Sequence, residues 1–172
     1  MIKGQKTYLR AVEENDLKTL LEWRNKPHLR KYFREYRELS WDQQIWWYEN
    51  IVLKDDKVRM FSVVDDDDTL LGACGLCYIN WVDRNADFSI YLGHNDIYID
   101  DELAIDAAKT LIKYGFEELN LHRLWAEIYD FDEPKKEMFK TLGFELDGRH
   151  RETHWTDGKW CDSLFFSLLK QE

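Results

Sequence analysis

Apolar residues recur along the chain at two spacings, and the switches between them mark out the elements. Residues 7–12 alternate as a short half-buried strand does. From Glu13 to Trp23 the residues Leu17, Leu20, Leu21 and Trp23 collect near one helical face. Pro27 ends this helix, and a basic and aromatic stretch follows over residues 28–37. Ser40-Trp41-Asp42-Gln43 has the spacing of a capping box opening a second helix, which carries Trp46, Trp47, Ile51 and Val52. Strand-like runs at residues 60–64 and 70–79 flank the acidic tip Asp65-Asp66-Asp67-Asp68-Thr69, a hairpin signal. A fourth strand is predicted over residues 87–92. After Gly93 comes the most regular helix, residues 101–119, with Leu103, Ala104, Ala107, Ala108, Leu111, Ile112, Phe116 and Leu119 at three-four spacing. An apolar strand at residues 124–129, a short helix over 133–142, and strands near Phe144 and over 162–169 complete the pattern, with a turn at Asp157-Gly158 between the last two. Strands followed by alternating strand and helix predict a mixed α/β (α+β) sheet with helices on both faces. No repeat or linker divides the chain, so residues 1–172 read as a single domain.

Composition supports a folded core. The 172 residues suffice to bury roughly two-thirds of the unfolded surface, and 44% hydrophobic residues with only two prolines oppose disorder. The first residues lack a signal-like apolar stretch and no uncharged apolar run is long enough to span a bilayer, so a cytoplasmic protein outside the membrane is expected. The net charge of −10 argues against nucleic acid as a partner and suits an amine-bearing substrate; acidity for solubility alone is the other reading. Cys74 and Cys77 are three apart in a strand and point to opposite faces, which predicts reduced thiols and no metal or redox site. The four aspartates of the hairpin tip lack metal-loop spacing and read as a solvated turn.

Two stretches resemble the GCN5-related N-acetyltransferase family. Residues 114–124, Lys140-Thr141-Leu142-Gly143-Phe144 and Asp157-Gly158-Lys159-Trp160 look like the branch of ribosomal-protein alanine and spermidine acetyltransferases. Glu22-Trp23-Arg24-Asn25 with Trp46-Trp47 downstream looks more like the acetyltransferases of nucleotide-linked amino sugars. The resemblance implies an acyl-CoA N-acyltransferase fold, with a mostly antiparallel seven-stranded sheet splayed between its fourth and fifth strands. The pantetheine arm of acetyl-CoA would enter that splay, aligned by the backbone of Ile90, Tyr91 and Leu92. The implied activity is acetyl transfer from acetyl-CoA to a small primary amine, an amino sugar on a nucleotide carrier first, with a polyamine or a protein N-terminus behind it. A homodimer is one option for this branch.

The same resemblance assigns the site. Asp87 is the candidate general base, a structural pairing with Arg84 or a lysine being the alternative. Ala104, Asp132 and Phe139 occupy cofactor positions. The family's pyrophosphate loop is degenerate here: Ile99 and Glu102 stand where Arg or Gln and Gly are usual, and Asp100 and Asp101 lie between them. Unit charges ~5 Å apart at an effective dielectric of ~20 repel by about 3 kcal/mol, so these acids would oppose a diphosphate unless they cap the helix themselves. Asp132 replaces an Asn, and Phe139 replaces the Tyr that protonates the leaving thiolate. These departures also fit a binding or regulatory domain that has lost acetyl-CoA. Trp46, Trp47, Tyr78 and Trp81 could wall an acceptor pocket or pack in the core, and Arg24 and Arg30 could meet a diphosphate or form surface ion pairs. His122 reads as position-holding.

Overall fold

The computed structural model describes residues 1–171. Among the described residues eight strands form one sheet: β1 (Ile2–Lys3), β2 (Tyr8–Ala11), β3 (Arg59–Val64), β4 (Leu70–Asn80), β5 (Asn85–Leu92), β6 (Arg123–Tyr129), β7 (Glu145–Thr156) and β8 (Lys159–Leu169). Their spatial order is β1-β2-β3-β4-β5-β6-β8-β7. Seven were expected; the eighth is the two-residue β1, too short to leave a periodic signal. Every pairing is antiparallel except β5 with β6.

Five α-helices among the described residues cover the sheet: α1 (Leu17–Asn25), α2 (Pro27–Arg30), α3 (Trp41–Trp47), α4 (Leu103–Lys113) and α5 (Glu133–Leu142). The expected first helix is shorter, because residues 14–16 form a 3-10 turn before α1. Pro27 ends α1 and opens α2, whose first turn needs no amide at that position. The Ser40 capping box is present: Ser40 Oγ accepts from the Gln43 amide at 3.2 Å, and Gln43 Oε1 accepts from the Ser40 amide at 2.8 Å. The long helix keeps its register through Lys113 and then widens into a π turn over Tyr114–Glu118. Its start is displaced to Leu103. The Leu-Gly-Phe sequence ends α5: Gly143 takes φ 83°, a left-handed conformation that favours glycine. The Phe144 amide then donates to the Phe139 carbonyl at 2.9 Å.

Two apolar layers sandwich the sheet. Phe88, Ile90 and Leu92 of β5 join Ala104, Leu111, Met138 and Phe139 of α4 and α5. The alternate residue Tyr91 joins Leu17, Leu20, Trp23, Leu29 and Tyr48 on the opposite side. This alternation assigns Asp87, next to Phe88, to the face of α1–α3. β5 and β6 share only three rungs, Asn85↔Arg123, Ala86↔Leu124 and Asp87↔Trp125. Beyond them β5 stays with β4 to Leu92 and β6 stays with β8 to Tyr129, so the two middle strands part. Among the described residues no helix is long and apolar enough to cross a membrane.

Candidate active site

Asp87 lies on the last rung joining β5 to β6 and is 2% exposed. Its Oδ2 accepts a hydrogen bond from Arg34 at 2.5 Å, while Oδ1 is buried with no partner among the described residues. Burial pushes this carboxyl above the usual carboxylate range, and the Arg34 guanidinium opposes the push without cancelling it. The pairing anticipated with Arg84 or a lysine is therefore made by Arg34, and one oxygen remains free. A carboxylate with a raised pKa and an uncommitted oxygen has what a general base needs.

Arg34 reaches Asp87 from the segment after α2 and is close enough to feel Tyr78 and Glu127. Glu127, on β6, accepts from Ser163 Oγ at 2.7 Å, and Ser163 shares a 2.6 Å hydrogen bond with Thr153. A second carboxylate thus faces the same space.

The mouth of the parted strands is lined from α5 and from the segment before α4. The Tyr98 hydroxyl donates to Asp132 Oδ2 at 2.8 Å, and Asp132 Oδ1 accepts from the Lys135 amide at 3.1 Å, capping α5. Asp132, 1% exposed, is held within the protein, and burial raises its pKa. The Tyr98 ring stacks on Tyr32 at 4.0 Å, and the Lys135 ammonium lies 5.7 Å from its centroid. Phe139 is fully buried against Phe88, Phe144 and Phe166.

Along β5 the backbone direction can be read from two bonds. The Leu92 amide donates to the Tyr98 carbonyl at 2.7 Å, and the next amide, Gly93, donates to Leu71 of β4 at 3.0 Å. The two-residue period then turns the Ile90 amide away from β4 and into the splay, and turns that of Tyr91 toward β4. Of these three positions, Ile90 alone presents its amide to the opening; that of Leu92 is engaged. Burial raises the Tyr91 hydroxyl to about 12.

At the start of α4, Asp100, Glu102 and Asp106 are occupied. Asp100 Oδ1 accepts from the amides of Ala104 at 2.8 Å and Glu102 at 3.2 Å. Glu102 pairs with Lys6. Asp106 takes the amides of Gln5, Lys6 and Thr7 at 2.8–2.9 Å and the Thr7 hydroxyl at 2.7 Å. Of the two acids considered as caps, Asp100 does the capping.

The predicted acceptor residues divide into two groups. Arg24, Trp46 and Trp47 line a cleft of about 530 Å³ with Glu35, Arg37 and Gln44. The Arg24 guanidinium sits 5.0 Å from the Phe33 centroid, and its Nε is buried without a partner among the described residues. Tyr78 and Trp81 are 66% and 40% exposed near the turn between β4 and β5, with Arg59 5.7 Å over the Trp81 ring. Arg30 pairs with Glu38. His122 is exposed, and its backbone holds the strand entry by donating to Arg84 and accepting from Lys170. In the hairpin tip, Asp65 accepts from its own turn, Asp66 from Tyr8 and Asp68 from Arg10. Arg34, Glu127 and Lys135 escaped the sequence reading. Only the basic stretch over residues 28–37 and the four-residue offset between Lys135 and Phe139 hinted at them.

Residues 9–165 match the acetyltransferase (GNAT) domain family. The chain belongs to that family. Its relatives include the uncharacterized N-acetyltransferase p20 of Bacillus licheniformis, 28% identical over 167 residues and spanning 95% of this chain and 93% of that one. The spermidine N(1)-acetyltransferase of Vibrio cholerae is 28% identical over 168 residues, again 95% of this chain and 93% of the relative. Among solved structures, spermidine N-acetyltransferase from Vibrio cholerae in complex with CoA and spermine superposes with a TM-score of 0.88 at 24% identity, covering 96% of each chain. In this GNAT fold the parted β5 and β6 and the Leu-Gly-Phe end of α5 occur together with a buried carboxylate at the last shared rung.

Proposed function

We propose that the protein transfers acetyl from acetyl-CoA to a primary amine of a small molecule, and that the acceptor is a polyamine. The observation that carries the reading is the free, buried oxygen of Asp87 where the strands part. The spermidine acetyltransferases among the relatives support a polyamine ahead of the nucleotide-linked amino sugar suggested by Glu22-Trp23-Arg24-Asn25 and Trp46-Trp47. The charge of −10 would attract such a cation.

The residues fit the donor at its thioester end. The splay admits an extended arm, and the Ile90 amide points into it. At the phosphate end the Ala104 amide is already bonded to Asp100, which must yield for a diphosphate to use it. Acetyl-CoA supplies the activated acetyl group. Asp87 Oδ1 takes the proton of the amine, Arg34 holds the other oxygen in place, and Glu127 supplies a second negative charge toward a cationic acceptor. A positioned base is worth about 10²- to 10⁴-fold in rate.

Incubating the protein with acetyl-CoA and a panel of spermidine, spermine and amino sugars, with release of free thiol followed, tests the reading. Turnover with the polyamines supports it, and turnover confined to amino sugars would replace the acceptor. Two observations favour a second reading: the Asp100 cap and proton-less Phe139 suit a fold that has ceased to acetylate. It predicts no thiol release with any amine.

A further inference from the structure

We propose that Lys135 replaces the missing tyrosine as the proton donor to the thiolate that leaves when acetyl is transferred. The inference rests on the acetyl-transfer reading, because it needs a thioester in the splay.

Position carries the argument. Lys135 and Phe139 are one helical turn apart and share the face of α5 turned toward the sheet. Phe139, with Phe88 and Phe166 around it, has no hydroxyl to give. Lys135 is 9% exposed, so its long stem runs inward rather than to solvent. Its ammonium is within electrostatic reach of Asp132 on its own helix, of Asp87 on β5 and of Arg34 from beyond β5. Asp87 and Arg34 belong to the far face of the sheet, since Phe88 is the β5 residue that turns toward α5. β5 and β6 part beyond the Asp87↔Trp125 rung, and the ammonium, facing the Tyr98 ring of the opposite layer, feels both groups from its helix. Tyr98 closes the remaining side, its ring under the ammonium.

Among the described residues Lys135 makes no ion pair; the lysines that reach a carboxylate at ion-pair distance there are Lys6, Lys26, Lys113 and Lys136. A buried ammonium outside such a pair is costly, and such groups concentrate at functional sites. Burial lowers its pKa, with Asp132 and Asp87 pulling the other way, and a lysine weakened as a base gives up its proton more readily. Tyr98, whose ring the ammonium faces, is a poorer donor: burial and Asp132 drive its pKa well up, and its proton is held by Asp132.

The step balances. The amine nitrogen bonds the acetyl carbon and loses a proton to Asp87; the carbon–sulfur bond breaks with its electron pair going to sulfur; the sulfur takes a proton from Lys135. Asp87 and Lys135 return to their starting states by proton exchange with water, so the sum is amide plus free thiol.

The test titrates the thiol of bound CoA by its far-ultraviolet thiolate absorbance, as a difference against the CoA-free protein, in the wild type and in Lys135→Met and Lys135→Arg, each first shown to unfold at the wild-type temperature. The inference predicts a wild-type bound thiol ionising about one pH unit below free CoA. That shift is lost in Lys135→Met and kept in Lys135→Arg, whose charge remains. With acetyl-CoA, kcat falls about 10²-fold in both variants, since arginine does not release a proton. Equal thiol titration in wild type and Lys135→Met, with CoA bound in both, overturns the inference and leaves the function standing. Failure of the wild-type protein to bind CoA overturns both.

Discussion

Replacing Arg34 by methionine removes the only hydrogen bond that Asp87 receives from a described side chain while keeping the length of the side chain. Two unit charges with centres roughly 4 Å apart at an effective dielectric of about 20 attract by ~4 kcal/mol. The Arg34 side chain is 43% exposed and the Asp87 side chain 3%, so water reaches one partner and screens the pair; about 1–2 kcal/mol survives. That corresponds to about one pH unit in the carboxyl pKa. The sign follows from which form loses support. Without the guanidinium the carboxylate is harder to form, so a pKa already raised by burial rises further. Activity that requires ionised Asp87 then sets in later as pH increases, and the acid limb of the kcat profile moves up by about one unit. The assay is thiol release from acetyl-CoA at saturating spermidine across the acid range, with wild type and variant in the same buffers. An acid limb that stays in place, or moves to lower pH, refutes the assignment of Asp87 as the base restrained by Arg34.

Further substitutions probe the other parts of the account. Asp87→Asn lowers kcat by about 10²- to 10⁴-fold and removes the acid limb, while calorimetric affinity for acetyl-CoA stays within a few-fold of wild type. Asp100→Asn keeps a good helix cap but removes a negative charge from the phosphate end, so acetyl-CoA binding tightens by about 5- to 10-fold at low salt, and less at high salt. Asp106→Asn destabilises the protein by about 1–3 kcal/mol, read from urea unfolding, because Gln5, Lys6 and Thr7 lose a charged acceptor. Burial alone would raise the Asp106 pKa, but the hydrogen bonds from Lys6, Thr7 and Gln5 outweigh it and hold the carboxyl low. Its contribution is therefore present above the ordinary carboxylate value and is lost as pH falls through the depressed one. Wild type thus loses stability on acidification more steeply than Asp106→Asn.

Elements with a one-sided burden of apolar residues were legible in the chain. α4 buries Ala104, Ala107, Ala108 and Leu111, the positions that its three-four spacing singled out. The Ser40 box and the Asp157-Gly158 turn follow from local chemistry: both turn residues take positive φ, 49° and 73°, the geometry a tight hairpin needs. β7 was legible only near its start. It is an edge strand, mostly exposed and rich in charge, so no apolar alternation marks its 12 residues. The π turn after Lys113 has no hydrophobic signature distinct from a continuing helix. In the site, Asp87 was legible only through the family resemblance, which implies an acidic residue at this place on the fourth strand. Lys135 was not, because in a helix carrying Lys135, Lys136 and Lys140 one lysine looks like another, and only packing decides which of them is buried. Arg34 approaches from the α1–α3 face, a contact between positions 53 residues apart that no local pattern encodes.

Acetyl transfer to an amine requires that the splay between β5 and β6 bind acetyl-CoA. Isothermal titration of the protein with acetyl-CoA at moderate salt, followed in the same sample by addition of spermidine and mass analysis of the products, tests it most directly. Micromolar binding and acetylated spermidine are expected; no heat at millimolar acetyl-CoA and no acetylated product would overturn both the donor site and the transfer.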